Sequence, residues 1–425
     1  MSKIVFVCPL SNTRIRQSLQ LKDYKIYNLL MRCLGRSERH YSDIASWVTE
    51  YIRTFEKDKE NEYHIIAFHQ GMKNKIQTFS LNGIYYYFIN SSHSLAHSFL
   101  NKKWHIDEKN NYIKNRNVII KEINNIKPDL VVVCGAENPR YSLVSLDVKN
   151  CPVFVMMQTL LNAPQRIQMG VGSPYRREKE MQILSSLIYY GTAGEKTKMF
   201  IHTINPGANI FRIAFPASKP PFSLDRANGA DFVMNARVLT KFKGVEDVLK
   251  ALGIVAKKYP DVRLELIGHV DVKYKKVLNE IMLSANIGNN VVFKGHYEEI
   301  EDMYYQVQKS KFMILPGITA GFNTTVREGM MMKMPIIMYE TPVSVKINEM
   351  EESLLCAKMQ DVNDLANKMI FAMENMDKMS SIAENAYNYA MKNYSSQAVT
   401  EQLIKVFNAI INKDKGIEIP KELLI

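Results

Sequence analysis

Apolar positions along the chain fall into two successive cycles of strand-like and helix-like patterning. In the first cycle, short apolar runs predict strands at 3–10 (KIVFVCPL), 63–70 (YHIIAFHQ), 83–89 (GIYYYFI), 127–135 (KPDLVVVCG) and 151–159 (CPVFVMMQT). Helical spacing predicts helices over 14–35, 40–57, 112–126 and 174–187 between them. In the second cycle the runs at 230–239, 262–270, 290–297, 311–317 and 335–340 predict strands. Helical patterns cover 244–260, 272–288, 299–310 and Thr325–Met332, and the stretch from 361 to 412 is helical almost throughout. Residues 216–229 (PASKPPFSLDRANG) interrupt the rhythm with Pro, Ser, Asn and Gly and mark a linker.

Strands alternating with covering helices predict two doubly wound α/β units with mostly parallel sheets. The boundaries fall at 1–222 and 228–395, with 396–425 as a terminal helix and tail. In such a unit ligands gather outside the carboxyl ends of the strands, so residues at strand ends are the first candidates for chemistry.

Composition narrows the class. No stretch of about 18 uncharged apolar residues occurs, which excludes a transmembrane helix in this sequence. The apolar start, Ile4–Leu10, lacks the length and cleavage site of a secretory signal and reads as a buried strand. Five cysteines without a C-x-x-C pair fit reduced cysteines in a cytoplasmic protein. The net charge of +12 is unevenly placed: residues 1–228 hold 31 Lys and Arg against 18 Asp and Glu. The first half therefore favours an anionic partner, such as a lipid headgroup surface or a phosphate-bearing acceptor. The segment 14–36, which mixes Arg and Lys with Leu, Ile and Tyr, could lie on such a surface; an ordinary domain helix with a solvated basic face is the alternative. No nucleic-acid-binding module accompanies the charge, so no nucleic-acid partner is expected.

Three strand-to-helix junctions of the second half carry candidate chemistry. In ARVLTKFKG, Arg237 follows a strand and Lys243 precedes Gly244 and a helix; two cations beside a helix N-terminus suit a diphosphate. In LIGHV, Gly268 closes a strand and His269 follows it. In AGFNTTVREGMMMKMP, Gly321 and Asn323 tolerate left-handed backbone angles, and Thr324 and Thr325 are N-cap candidates. Taken locally, Thr325-x-x-Glu328 also fits a capping box, in which the acid serves only a backbone amide.

The order of these features resembles the nucleotide-sugar half of the retaining glycosyltransferases called group 1, or family four. The matching pieces are ARVLTKFKG, LELIG, VVFKG (291–295), ILPG (314–317) and AGFNTTVREGMMMKMP, spanning about Asp231–Glu340. The resemblance implies the GT-B fold: two facing Rossmann-like domains, with a C-terminal helical segment crossing back to the first. It implies that Arg237 and Lys243 hold the donor diphosphate and that Glu328 receives the ribose hydroxyls. The backbone at Gly321, Phe322, Asn323 and Thr324 would face the donor sugar and phosphates, and that at Gly268 and from Phe293 to His296 would line the rest of the site. No metal or other cofactor is implied, and the sequence contains no Asp-x-Asp. Two positions depart from the family pattern. Ala320 stands where the first of the family's two acids is expected, and Asn323 replaces a glycine.

The first half resembles the family less. The glycine pair after the first strand is replaced by CPLSNTRIR, and Gln158 stands at about the place of a frequent histidine. Ser11, Asn12, Arg14, Glu137 and Gln158 are the candidates for an acceptor crevice. The expected activity is metal-independent transfer of a sugar from a nucleotide-diphosphate sugar to a glycan or lipid-linked acceptor, with retention, in bacterial surface polysaccharide assembly. Peripheral contact with an anionic membrane would accompany it. The alternative is a non-catalytic nucleotide- or glycan-binding protein of the same fold, which Ala320 favours. A sugar-nucleotide epimerase is a further rival, but only His269 and His296 supply histidine to the second half.

Overall fold

A computed structural model describes residues 1–33, 41–91, 101, 103–217, 220, 229–318 and 322–425. The expected linker boundaries at 222 and 228, and the site positions Ala320 and Gly321, lie outside the described residues. The chain forms two compact units: Met1–Pro216 together with Ser396–Ile425, and Ala217–Ser395.

Unit 1 is built on β1 (Ser2–Pro9), β2 (Asn61–His69), β3 (Ile76–Leu81), β4 (Ile84–Asn90), β5 (Leu130–Cys134), β6 (Val153–Met156), β7 (Tyr189–Thr192) and β8 (Asn209–Arg212). The order is β3-β4-β2-β1-β5-β6-β7-β8, parallel except for the β3–β4 hairpin. Alternate residues of β1 feed two cores. Ile4, Phe6 and Cys8 join a cluster with Phe55, Phe154 and Phe407, and Val5 and Val7 join one with Ile119, Val144 and Ile183. Burial on both faces explains why these strands read as continuous apolar runs. Succession reverses between β1 and β5, so the crevice expected of a doubly wound sheet lies at the carboxyl ends of those strands.

Several elements differ from the sequence reading. The expected helix over 14–35 is two helices, Thr13–Ser18 and Lys25–Cys33. Strand β3 was not predicted, although Asn82-Gly83 announces it. Both residues have positive φ, 51° and 80°, as a two-residue hairpin turn with the sheet's own twist requires. Strands β7 (YYGT) and β8 (NIFR) carry Gly191, Thr192, Asn209 and Arg212, so no continuous apolar run marks them.

The terminal helix, Ser396–Asp414, belongs to unit 1. Phe407 is fully buried between Phe6, at 5.7 Å between ring centroids, and Phe154, at 6.1 Å. Ser396 Oγ donates to the buried Glu50 carboxylate at 2.6 Å.

Unit 2 is built on β9 (Phe232–Val238), β10 (Leu264–His269), β11 (Val291–Gly295), β12 (Phe312–Leu315), β13 (Ile336–Tyr339) and β14 (Leu355–Ala357). All pairings are parallel, in the order β11-β10-β9-β12-β13-β14. The three-residue β14 was likewise not predicted. Succession reverses between β9 and β12, which places this unit's ligand crevice at their carboxyl ends. Among the described residues no helix is long and apolar enough to cross a membrane.

Both tryptophans, Trp47 and Trp104, lie in unit 1 and report on it alone. Phe407→Ala empties a site in that core and is expected to cost about 3–5 kcal/mol. The tryptophan-monitored urea transition should move to lower concentration; an unmoved transition would separate the terminal helix from this core.

Candidate active site

In unit 2 the switch point collects three chain segments by close backbone approach. Arg237 is the penultimate residue of β9 and its side chain is exposed. Gly268, penultimate in β10, has φ +140°, and a Cβ there would fall 1.9 Å from the Ala236 carbonyl oxygen. A side chain at 268 would thus separate β10 from β9 beside Arg237. Leu239 N donates to His269 O at 2.9 Å and fastens the turn after β9 to the end of β10.

Lys243 ends a short turn, Lys241–Lys243, and Gly244 opens the helix Val245–Lys258. Gly244 has φ +81°, and a Cβ there would lie 2.1 Å from Pro316 O, just past β12. Ile318 N donates to Phe242 O at 3.1 Å. The loop carrying Lys243 and the loop leading to Glu328 are therefore joined directly. His296 follows β11. Its imidazole is held below its ordinary pKa by partial burial first, and then by the nearby Arg237 guanidinium and the His269 ring. Arg237, His269 and His296 thus share one end of the sheet. Phe293 lies further back within β11, packed on the core, with Lys275 Nζ 5.1 Å from its ring centroid.

The helix after β12 runs from Thr324 to Met331, and its cap corrects the local reading. Asn323, not a threonine, is the N-cap: its Oδ1 accepts from Val326 N at 3.1 Å, and its backbone is extended, φ −82° and ψ 169°, rather than left-handed. Glu328 then sits at the fifth helical position, beyond reach of a capping box with Thr325. It is 6% exposed, in a helix buried from Val326 to Met331. The amides of Thr324 and Thr325, at the first two positions, have no acceptor within their own helix. Two residues not anticipated from sequence hold this entry in place. Arg327 donates to Thr324 Oγ1 at 3.0 Å and covers the Tyr394 ring at 5.6 Å. Phe322 packs on the same tyrosine at 6.0 Å.

Unit 1 distributes its five candidates between structural and open positions. Asn12 caps the Thr13–Ser18 helix by accepting from Ile15 N at 2.9 Å and donates to Thr49 Oγ1. Arg14 pairs with Glu56 at 2.9 Å on the surface. Both are engaged within the fold rather than turned to a crevice. Ser11, just beyond β1, is buried, in contact with His69 Nε2 at 3.3 Å and accepting from Arg16 Nη1 at 3.2 Å. Gln158, beyond β6, donates from Nε2 to Cys134 O at 3.1 Å and braces the ends of β5 and β6.

Glu137 stands apart. It follows β5, and its carboxyl folds over Gly135, whose φ of +92° and missing Cβ leave the room: a Cβ would lie 2.2 Å from Oε2. That oxygen is buried with no hydrogen-bond partner among the described residues. Burial pushes the carboxyl up to about 7, with the buried Glu180 adding repulsion and Arg176 and Arg166 opposing it. Arg176 donates from Nε and Nη2 to the Glu137 carbonyl oxygen, not to the carboxylate. Sequence reasoning missed Arg176 and Glu180, because PYRREKE reads as a solvated charged helix. Only the packing shows Glu180 fully buried, accepting from Leu161 N and Asn162 N at 2.9 Å.

Two doubly wound units with parallel sheets give the chain an α/β fold of the GT-B class. The family model of the glycosyl transferases group 1 matches residues 219–389, within the second unit. An uncharacterized glycosyltransferase of Haemophilus influenzae is 26% identical over 150 residues, 35% of this chain and 41% of that protein. The chain thus aligns with less than half the length of this curated relative. Two solved structures share the fold across nearly the whole chain. Sucrose-phosphate synthase from Thermosynechococcus elongatus superposes with a TM-score of 0.69 at 12% identity, over 97% of this chain and 100% of that one. The trehalose-6-phosphate structure from E. coli with bound UDP-2-fluoro glucose gives 0.67 at 10% identity, over 96% and 99%.

Glu137 also makes stability depend on pH. Its folded value of about 7 exceeds the unfolded value of about 4.3, so its stabilising contribution is complete below the lower value and is lost as pH rises through the higher. Glu137→Gln removes that loss. The variant should match wild type in thermal midpoint near pH ~4 and exceed it near pH ~8. A difference that does not grow across this range would mean that the carboxyl is solvated.

Proposed function

We propose that this protein is a glycosyltransferase that moves a sugar from a nucleotide-diphosphate sugar to a glycan or lipid-linked acceptor, with retention and without a metal. The observation that carries the reading is the switch point of unit 2, where the segment holding Arg237 and Lys243 is joined to the end of β12, the strand that precedes the helix bearing Glu328. The bound UDP-2-fluoro glucose in the E. coli structure of the same fold supports the donor class.

The chemistry needs little more from the protein. As the bond from the anomeric carbon to the diphosphate oxygen breaks, negative charge grows on the leaving group. A guanidinium, an ammonium and helix-end amides fixed at that place stabilise it more in the transition state than in the ground state. The acceptor oxygen forms the new bond on the same face, and its proton passes to the departing phosphate, so no protein base is required. Glu328 receives the ribose hydroxyls as hydrogen-bond acceptor. Asn323, occupied in capping, offers backbone rather than side chain to the sugar. In unit 1 the acceptor would meet Glu137 and Gln158 at the ends of β5 and β6, with the buried Ser11 behind them at the end of β1. The setting we propose is cytoplasmic, in bacterial surface polysaccharide assembly, with peripheral contact at the membrane and no nucleic acid.

A nucleotide-release assay over UDP-, GDP-, TDP- and CMP-sugars, run beside thermal shift with the bare nucleotides, tests the reading. One nucleotide should raise the melting temperature, and Glu328→Ala should abolish the shift. Arg237→Ala and Lys243→Ala should each lower turnover roughly 10²–10³-fold with folding unchanged, the loss seen when one fixed donor to a developing anion is removed. EDTA should leave release unchanged. A shift without release from any donor–acceptor pair would favour the binding-protein reading, for which Ala320 speaks.

A further inference from the structure

The helix Lys25–Cys33 (KIYNLLMRC) is turned the wrong way for a domain helix. None of its residues is buried, and Ile26, Leu29 and Leu30 are 78%, 60% and 56% exposed. At the helical turn angle, Ile26, Leu29, Leu30 and the exposed Cys33 fall within one arc of about 100°. Tyr27, Asn28 and Met31 face the unit instead and are only half-buried. An apolar stripe of this kind ordinarily packs on a core; here it forms the outer surface.

The helix is nevertheless held firmly at its base. Lys22 N donates to Gly71 O and Lys73 N to Gln20 O, both at 2.8 Å. The Tyr24 ring packs on Tyr41 at 5.4 Å, and Tyr41 Oη donates to Lys22 O at 3.1 Å. Gly71, with φ +78°, holds a left-handed backbone that favours glycine, and the Tyr41 and Tyr24 hydroxyls lie against it. These anchors follow β1 and β2, so the stripe stands at the carboxyl end of the unit 1 sheet, the end at which Ser11 and Glu137 lie.

The surrounding charge is mostly basic, with Asp23 paired to Lys25 at 3.9 Å. Lys22, Lys25, Lys73 and Lys75 are exposed around the stripe, and Asp23 is the only acid within 19–33 and 70–76. We propose that this helix docks unit 1 on an anionic lipid surface, with Ile26, Leu29 and Leu30 entering the headgroup boundary and the lysines meeting the lipid phosphates. Apolar insertion and charge attraction are each weak alone and become adequate together. A second copy is a poor occupant, since two-fold pairing through this face would bring like cations together. Docking would present a membrane-borne acceptor to the carboxyl ends of β1 and β5. That purpose rests on the transferase reading, whereas the docking itself does not.

Co-sedimentation of the full chain with phosphatidylglycerol–phosphatidylcholine vesicles, against pure phosphatidylcholine, is the test. Binding is expected only to the anionic vesicles and should weaken as salt screens the lysines. Leu29→Glu with Leu30→Glu should lower the partition coefficient about ten-fold or more, with the melting temperature and the nucleotide-induced shift unchanged. Leu29→Ala with Leu30→Ala, which adds no charge, should act in the same direction. No binding to anionic vesicles, binding indifferent to both double variants, or a wild-type dimer that the variants dissociate would each overturn the proposal. Nucleotide release measured on the same samples keeps the two readings apart: docking without release leaves this inference standing and sinks the transferase.

Discussion

Parallel strand pairing is the constraint from which the rest follows. Two parallel neighbours cannot be joined by a tight turn, so the chain must cross back over the sheet, commonly through a helix. Every loop leaving a strand then collects at one end of the sheet, and every returning helix begins there. Both units obey this apart from the β3–β4 hairpin at the edge of unit 1, with succession reversing between β1 and β5 in one and between β9 and β12 in the other. At each reversal neighbouring loops diverge and leave a crevice. The residues proposed for chemistry occupy those two places because strand topology puts loop residues there.

Close approach at such a crevice is possible only where side chains are absent. Gly268 lets β10 lie against the Ala236 carbonyl, and Gly244 lets the Lys243 turn lie against Pro316. These contacts convert three separate loops into one surface. In unit 1, Gly135 has the opposite use, giving space to the Glu137 carboxyl, which is pushed toward neutrality by burial. One sheet end gathers fixed cations; the other holds a carboxyl poised near neutral pH.

Much of this was legible in the chain. Buried parallel strands must be apolar on both faces, so ten of them stood out as runs, and β9 to β13 were found together with the cations at their ends. What escaped were β3, β7, β8 and β14, for two physical reasons. β7 and β8 are broken by Gly191, Thr192, Asn209 and Arg212 and β14 is only three residues, so none forms an apolar run, and β3 alternates exposed with half-buried positions behind the Asn82-Gly83 turn. The Thr325–Glu328 capping box was misread because Asn323 competes for the same amides and is the stronger cap.

The order of residue types along the chain therefore determined the fold class, the resemblance of the second unit to the group 1 glycosyl transferases, and the choice of Arg237, Lys243 and Glu328 as the proposed donor set. Periodicity and loop chemistry are local properties, and local properties survive in one dimension. Tertiary structure alone decided which charges are solvated and which are buried. Glu180 and Glu137 lost water only when the Pro174–Ser186 helix packed, while Arg14 stayed outside on Glu56. It also decided which way the Lys25–Cys33 helix turns its apolar arc. An amphipathic pattern states that a face exists, and only the packing of its neighbours settles whether that face meets a core or the outside.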